Sequence, residues 1–105
     1  MYKLIALDMD GTTFNENHEI SDEVKDSLFY AMSKGVKIAF ISGREEFTVK
    51  EILKNLNLDT YYGALNGSLI STTYSEVPKF VKSLEKKYIF DILDIIENNG
   101  FSPII

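Results

Sequence analysis

Leu4-Ile5-Ala6-Leu7-Asp8-Met9-Asp10-Gly11-Thr12-Thr13-Phe14 is the stretch on which the reading of this chain turns. Four apolar residues, then two carboxylates one residue apart, then a glycine, read as a buried strand that delivers charge to a sheet edge. Side chains alternate along a strand, so Asp8 and Asp10 project to one side and Met9 to the other, until Gly11 lets the backbone turn. Two close carboxylates repel. A divalent cation shared between them relieves the repulsion, as does a proton held by one of them. Both remedies describe an active site.

Outward from this stretch, the pattern repeats. Asn15 to Glu19 is a polar loop, in which His18, the only histidine, reads as a solvated residue. Ser21 followed by Asp22 and Glu23 starts a helix: a hydroxyl cap with acids in the first turn, a stripe of Val24, Leu28, Ala31 and Met32, and Gly35 as the stop. Val36 to Ile41 is a second apolar strand. Strand, helix and strand make a right-handed crossover with parallel strands. A third unit follows, with a helix over 45–56 and a weaker strand over 61–65 ending at Asn66-Gly67. The Asn-Gly pair signals a hairpin, and 69–73 with 79–81 flank a β-excursion. Apolar residues at helical spacing predict a last helix over 84–99 with Gly100 as its stop. Phe101 to Ile105 reads as the beginning of another strand, which exposes sticky surface.

Composition narrows the function. The chain has 105 residues, 45% hydrophobic and 26% charged, enough for one modest core and ordinary for a folded domain. A net charge of −5 disfavours nucleic acid as a partner, because phosphate neutralisation needs clustered Lys and Arg. A bound cation reverses the local sign, so a phosphorylated small molecule stays open. The absence of cysteine fits a reducing cytoplasm, no leader-like segment opens the chain, and no apolar run reaches the ~20 residues of a membrane span.

The three predicted strands end in Asp8 with Asp10, in Ser42, and in Asn66. An open parallel sheet binds ligands beyond the carboxyl ends of its strands, so these residues form a candidate site. Each alone has a plainer meaning. An aspartate pair caps turns, Ser42-Gly43 caps helices, and Asn66-Gly67 turns chains.

The stretch Asp8 to Phe14, DMDGTTF, resembles motif I (DxDGT) of the haloacid dehalogenase superfamily. Ile41 to Arg44 (ISGR) and Ala64 to Ile70 (ALNGSLI) are similar to the matching stretches of its Cof-type sugar-phosphate phosphatase branch. The likeness runs over essentially the whole chain and implies an α/β fold: a Rossmann-like three-layer core with a parallel sheet. Residues 1–82 would be the amino-terminal part of that core and 83–105 the start of an α/β cap. Asp8 is then the nucleophile that forms an aspartyl-phosphate, and Asp10 the acid and base, a double role that calls for a raised pKa. Mg²⁺ is the implied cofactor, held by Asp8 and by Asp10, the latter through its backbone carbonyl. Ser42 and the N–H of Gly43 bind phosphate, helped by the amino terminus of the next helix. Met9, Gly11 and Thr12 complete motif I, Arg44 fits the branch pattern, and Asn66 and Gly67 lie toward substrate. Thr13 departs from a common leucine and Ser42 from a common threonine.

The superfamily's lysine and later acidic motif lie downstream of residue 105. The resemblance therefore implies the amino-terminal portion of a Mg²⁺-dependent phosphatase for a small phosphorylated metabolite, inactive alone. Its other partners would be the missing carboxyl-terminal half or a second copy. Two alternatives stand: a non-catalytic protein that binds phosphate or another chain, and a phosphomutase on the same scaffold.

Overall fold

A computed structural model describes residues 1–103. The chain runs β1 (Leu4–Asp8), α1 (Asp22–Ser33), β2 (Lys37–Ile41), α2 (Glu46–Asn55), β3 (Tyr61–Ala64), a single 3-10 turn (Leu65–Gly67), β4 (Leu69–Thr72), β5 (Phe80–Val81) and α3 (Lys86–Asn98). The strands form one sheet in sequence order. β1, β2 and β3 are parallel, and β4 and β5 extend the sheet antiparallel as a meander. The mixed sheet follows from connection length, since crossover helices join the first three strands and short turns the last three.

Both crossovers step the same way across the sheet, so right-handedness puts α1 and α2 on one face. The core lies there: Leu28 from α1, Val49 and Leu53 from α2, and Ile38, Phe40 and Tyr62 from the strands, with Met9 and Phe14 closing its top. Phe14 meets Phe40 edge to face with ring centroids 5.5 Å apart. The Tyr62 hydroxyl donates to Glu46 Oε1 at 3.0 Å, tying β3 to the first turn of α2.

Helix ends follow the sequence closely. Ser21 Oγ accepts from the Val24 N–H, and Gly35 stands at φ 82° while the Val36 N–H reaches back to the Ala31 carbonyl. That pairing is the Schellman arrangement, which needs a left-handed residue and so favours glycine. Gly100 ends α3 in the same way, at φ 79° with the Phe101 N–H on the Ile96 carbonyl.

Two features differ from the sequence reading. β1 is not buried: Leu4 is 53% exposed and Ile5 37% exposed. Among the described residues it is an edge strand paired only to β2, and on the sheet face opposite Ile38 and Phe40 both Leu4 and Ile41 are exposed. Helix α3 begins at Lys86 rather than 84 and contains no buried residue, with Phe90 74% exposed and Ile95 64% exposed. The radius of gyration is 16.3 Å, against about 13 Å for a compact domain of this length. The strand expected over 101–105 lies partly outside the described residues, and 101–103 are irregular.

Packing therefore weighs unevenly on similar residues. Leu53→Ala, at a site with no exposure, is expected to cost about 2–5 kcal/mol in urea unfolding. Ile95→Ala on the open face of α3 should stay within about 0.5 kcal/mol. Equal costs at the two sites would contradict this division.

Candidate active site

The parallel ladder brings the three chain exits together. Asp8 pairs with Ile41 and Ile41 with Gly63, so β1, β2 and β3 end level with one another. Hydrogen bonds carry the alignment past the strands: Met9 N–H to the Ile41 carbonyl at 3.3 Å, Ser42 N–H to Gly63 at 2.9 Å, and Asn66 N–H to Ser42 at 3.1 Å. Leu65 N–H also bonds the Arg44 carbonyl at 2.8 Å. Loops separated by dozens of residues thus share one edge.

Met9 is buried while Asp8 and Asp10 are exposed, as strand alternation requires. The loop after β1 winds around the Met9 carbonyl, which accepts from Thr13 at 3.2 Å and Phe14 at 2.8 Å. Gly11 makes the winding possible at φ 72°. The turn brings Thr12 back onto Asp8, its hydroxyl donating to Asp8 Oδ2 at 2.8 Å. Thr13 donates to the Asp8 carbonyl at 2.8 Å. One carboxylate oxygen of Asp8 is therefore oriented by Thr12.

Asp10 has a stronger partner. Arg44 Nε donates to both of its oxygens, at 2.9 and 3.1 Å. Ser42, buried, accepts the Arg44 N–H on Oγ at 3.1 Å and lies 3.5 Å from Asp10 Oδ2. The Arg44 hydrogen bond holds the Asp10 carboxyl below the usual carboxylate range, against a smaller opposing effect of desolvation. This overturns the raised pKa expected from Asp8. A guanidinium bonded directly to both oxygens outweighs a neighbouring carboxylate.

Two further placements depart from the sequence reading. The amino terminus of α2 is capped by Glu45, whose carboxylate accepts from the Phe47 and Thr48 N–H groups, so this terminus already carries an anion of the chain's own. His18 is exposed yet not idle: its Nδ1 lies 3.7 Å from Asp10 Oδ1, and Arg44 Nη2 is 3.4 Å from both ring nitrogens. Its single occurrence in a polar loop gave no signal, because the contact spans 26 residues to Arg44.

Asn66, at φ 55°, turns its side chain toward Gly43. A Cβ on Gly43 would stand 3.0 Å from Asn66 Oδ1, so the glycine makes room for that amide. Gly67 follows at φ 89° and completes the turn into β4. The sequence-nominated residues Asp8, Met9, Asp10, Gly11, Thr12, Ser42, Gly43, Arg44, Asn66 and Gly67 all belong to this edge. Among the described residues, no group of three or more His, Cys, Asp or Glu side chains gathers as a metal cluster. No described helix is long and apolar enough to cross a membrane.

The sign of the acid dependence follows from the depressed pKa. The Asp10–Arg44 pair contributes stability above the ordinary aspartate range and loses it as pH falls through the lowered folded value. The pair is exposed, so the contribution is small. Arg44→Gln should return the Asp10 carboxyl titration, followed by carbon NMR, upward toward the ordinary value. An unmoved titration would remove Arg44 as the cause.

Comparison with known proteins identifies the family. The sequence profile of the haloacid dehalogenase-like hydrolases matches residues 5–105. Phosphatase YwpJ of Bacillus subtilis (strain 168) is 31% identical over 99 residues, which is 94% of this chain and 34% of that protein. The 5-amino-6-(5-phospho-D-ribitylamino)uracil phosphatase YcsE of the same organism is 41% identical over 68 residues, 65% of this chain and 27% of that one. A solved haloacid dehalogenase-like hydrolase from B. subtilis superposes with a TM-score of 0.85 at 32% identity, covering 93% of this chain and 34% of the other. The chain spans about a third or less of the length of these relatives. A profile that matches nearly every residue, and a fold shared with one of its solved members, make this chain a member of the haloacid dehalogenase-like hydrolase family.

Proposed function

We propose that the site transfers the phosphoryl group of a small phosphorylated metabolite to Asp8 and then to water. The observation that carries this reading is the convergence of two aspartates, an arginine and a buried serine on one sheet edge. Relatives named as phosphatases, one of them for 5-amino-6-(5-phospho-D-ribitylamino)uracil, support the substrate class.

Asp8 attacks phosphorus, the bond to the leaving oxygen breaks, and an aspartyl-phosphate forms. Water then attacks the phosphorus and restores the carboxylate, so that one difficult step becomes two easier ones. Thr12 keeps Asp8 aimed throughout. Asp10, ionised beside Arg44, is ready to take the proton of the attacking water. Donation to the leaving oxygen requires that it first be protonated. Ser42 and the backbone N–H of Gly43 would supply hydrogen-bond donors to a phosphate oxygen, a role that the burial of Ser42 beside Asp10 supports.

Mg²⁺ fits the donor type, since it takes hard oxygens and uses one or two carboxylates with several waters. Asp8 would hold it, together with Asp10, in this superfamily through the backbone carbonyl. The ion would neutralise charge between Asp8 and the phosphate. We also take residues 83–105 as the start of a second domain, which the unburied α3 supports. The relatives are about three times longer, so turnover would draw on a further acid and a lysine that the superfamily carries downstream.

An aryl phosphate assay with and without Mg²⁺ tests the reading. The 105-residue chain alone should give no turnover, and supplying a downstream portion with the lysine and acidic motif should restore it. Asp8→Asn in the restored enzyme should lower turnover by about three orders of magnitude or more. Turnover that survives Asp8→Asn would sink the mechanism.

A further inference from the structure

The loop between Phe14 and Ile20 is built around one side chain. Asn15 Oδ1 accepts the N–H of Asn17 at 2.9 Å and of Glu19 at 3.0 Å. The Asn15 N–H donates to the Glu19 carbonyl at 2.8 Å, and the His18 N–H to the Asn15 carbonyl at 3.0 Å. This ring of bonds keeps His18 at φ 61°, a left-handed conformation that costs an L-residue energy. The result is the placement of its imidazole at the active site.

The contact geometry defines what the ring does. Arg44 Nη2 is equally distant, 3.4 Å, from Nδ1 and Nε2. An atom so placed lies on the Cε1 side of the ring or over its face, and not along one nitrogen's lone pair. The interaction is therefore a packing of the Arg44 Nη2 end against the imidazole rather than a hydrogen bond to one nitrogen, and the same ring stands 3.7 Å from Asp10 Oδ1. It leaves Arg44 Nε to bridge both oxygens of Asp10. Arginine is a long side chain with several rotatable bonds, and a flat group behind its fork removes alternatives that would take it off the carboxylate.

We propose that His18 is a positioning residue: its ring packs against the Nη2 end of Arg44 and holds the guanidinium on the Asp10 carboxylate. The purpose of this role rests on the phosphoryl-transfer reading, whereas the contact does not. Part of the acid–base machinery is thus set from the 15–19 loop, by a residue that need not touch the reacting atoms.

The Arg44 Nε–H signal of the nitrogen-15-labelled 105-residue chain, and its exchange with water near neutral pH, tests this without turnover. His18→Asn removes the ring yet tolerates the left-handed backbone, and His18→Gly does so with no strain at all. Either variant should lower protection of that N–H roughly two- to fivefold, the worth of an exposed cation–ring contact, with β1 and β2 amide signals unmoved. His18→Tyr supplies another flat ring and should restore it. Asp10→Asn gives the fully released reference. Unchanged protection in both His18→Asn and His18→Gly overturns the proposal. Equal loss in His18→Tyr with the Asn17 and Glu19 amide signals unmoved also overturns it, because the loop would then be intact and the ring not the agent. A titration with inorganic phosphate, read at the Ser42 and Gly43 amides, addresses the phosphatase reading separately. Silence there counts against phosphate binding and leaves the His18–Arg44 result to stand or fall by itself.

Discussion

The Met9 N–H reaching the Ile41 carbonyl, and the Ser42 N–H reaching Gly63, extend the parallel ladder one residue beyond the strands. Everything at the site inherits its position from that extension. Three chain exits stitched edge to edge put polar groups within reach of one another even when 34 residues separate them, as for Asp10 and Arg44. Closing so long a loop costs conformational entropy that a single exposed ion pair does not offset. The buried face of the sheet offsets it instead. Ile38, Phe40, Val49, Leu53 and Tyr62, all inaccessible or nearly so, hold the ladder together from below.

On this frame the electrostatics divide between the two aspartates. Arg44 satisfies Asp10 and stabilises its charged form. Thr12 orients Asp8 without neutralising it. A chain with five more acids than bases places the half-buried Arg44 next to Asp10 and not next to Asp8. Asp8 is left without a cationic partner in the hydrogen-bond network, its Oδ2 accepting only from the Thr12 hydroxyl among the described residues. Separate environments for paired carboxyl groups are the usual means of giving them separate roles.

The apolar surface is distributed unusually. Tyr88, Phe90, Ile95 and Phe101 lie exposed along and just after α3, while Leu4 and Ile41 lie exposed on the sheet face opposite Ile38 and Phe40. Exposed apolar area on this scale normally marks a surface that meets another element.

Local chemistry was legible in the residues themselves. A hydroxyl at Ser21 and glycines at 35 and 100 ended helices where they stand, because caps depend on neighbours within a turn. The same holds for the strand ends: Asp8, Asp10, Ser42 and Asn66 each followed an apolar run, and the parallel topology followed from crossover length. Tertiary structure alone decided three things. An apolar strand such as β1 reads as buried whether or not a layer covers both faces, so only packing revealed its exposure. The Asp10 pKa depended on which charge stood closest in space, and Arg44 is distant in sequence. His18 became part of the site through a left-handed backbone in a polar loop. No nearest-neighbour pattern encodes that, because the group it meets lies on another strand's exit.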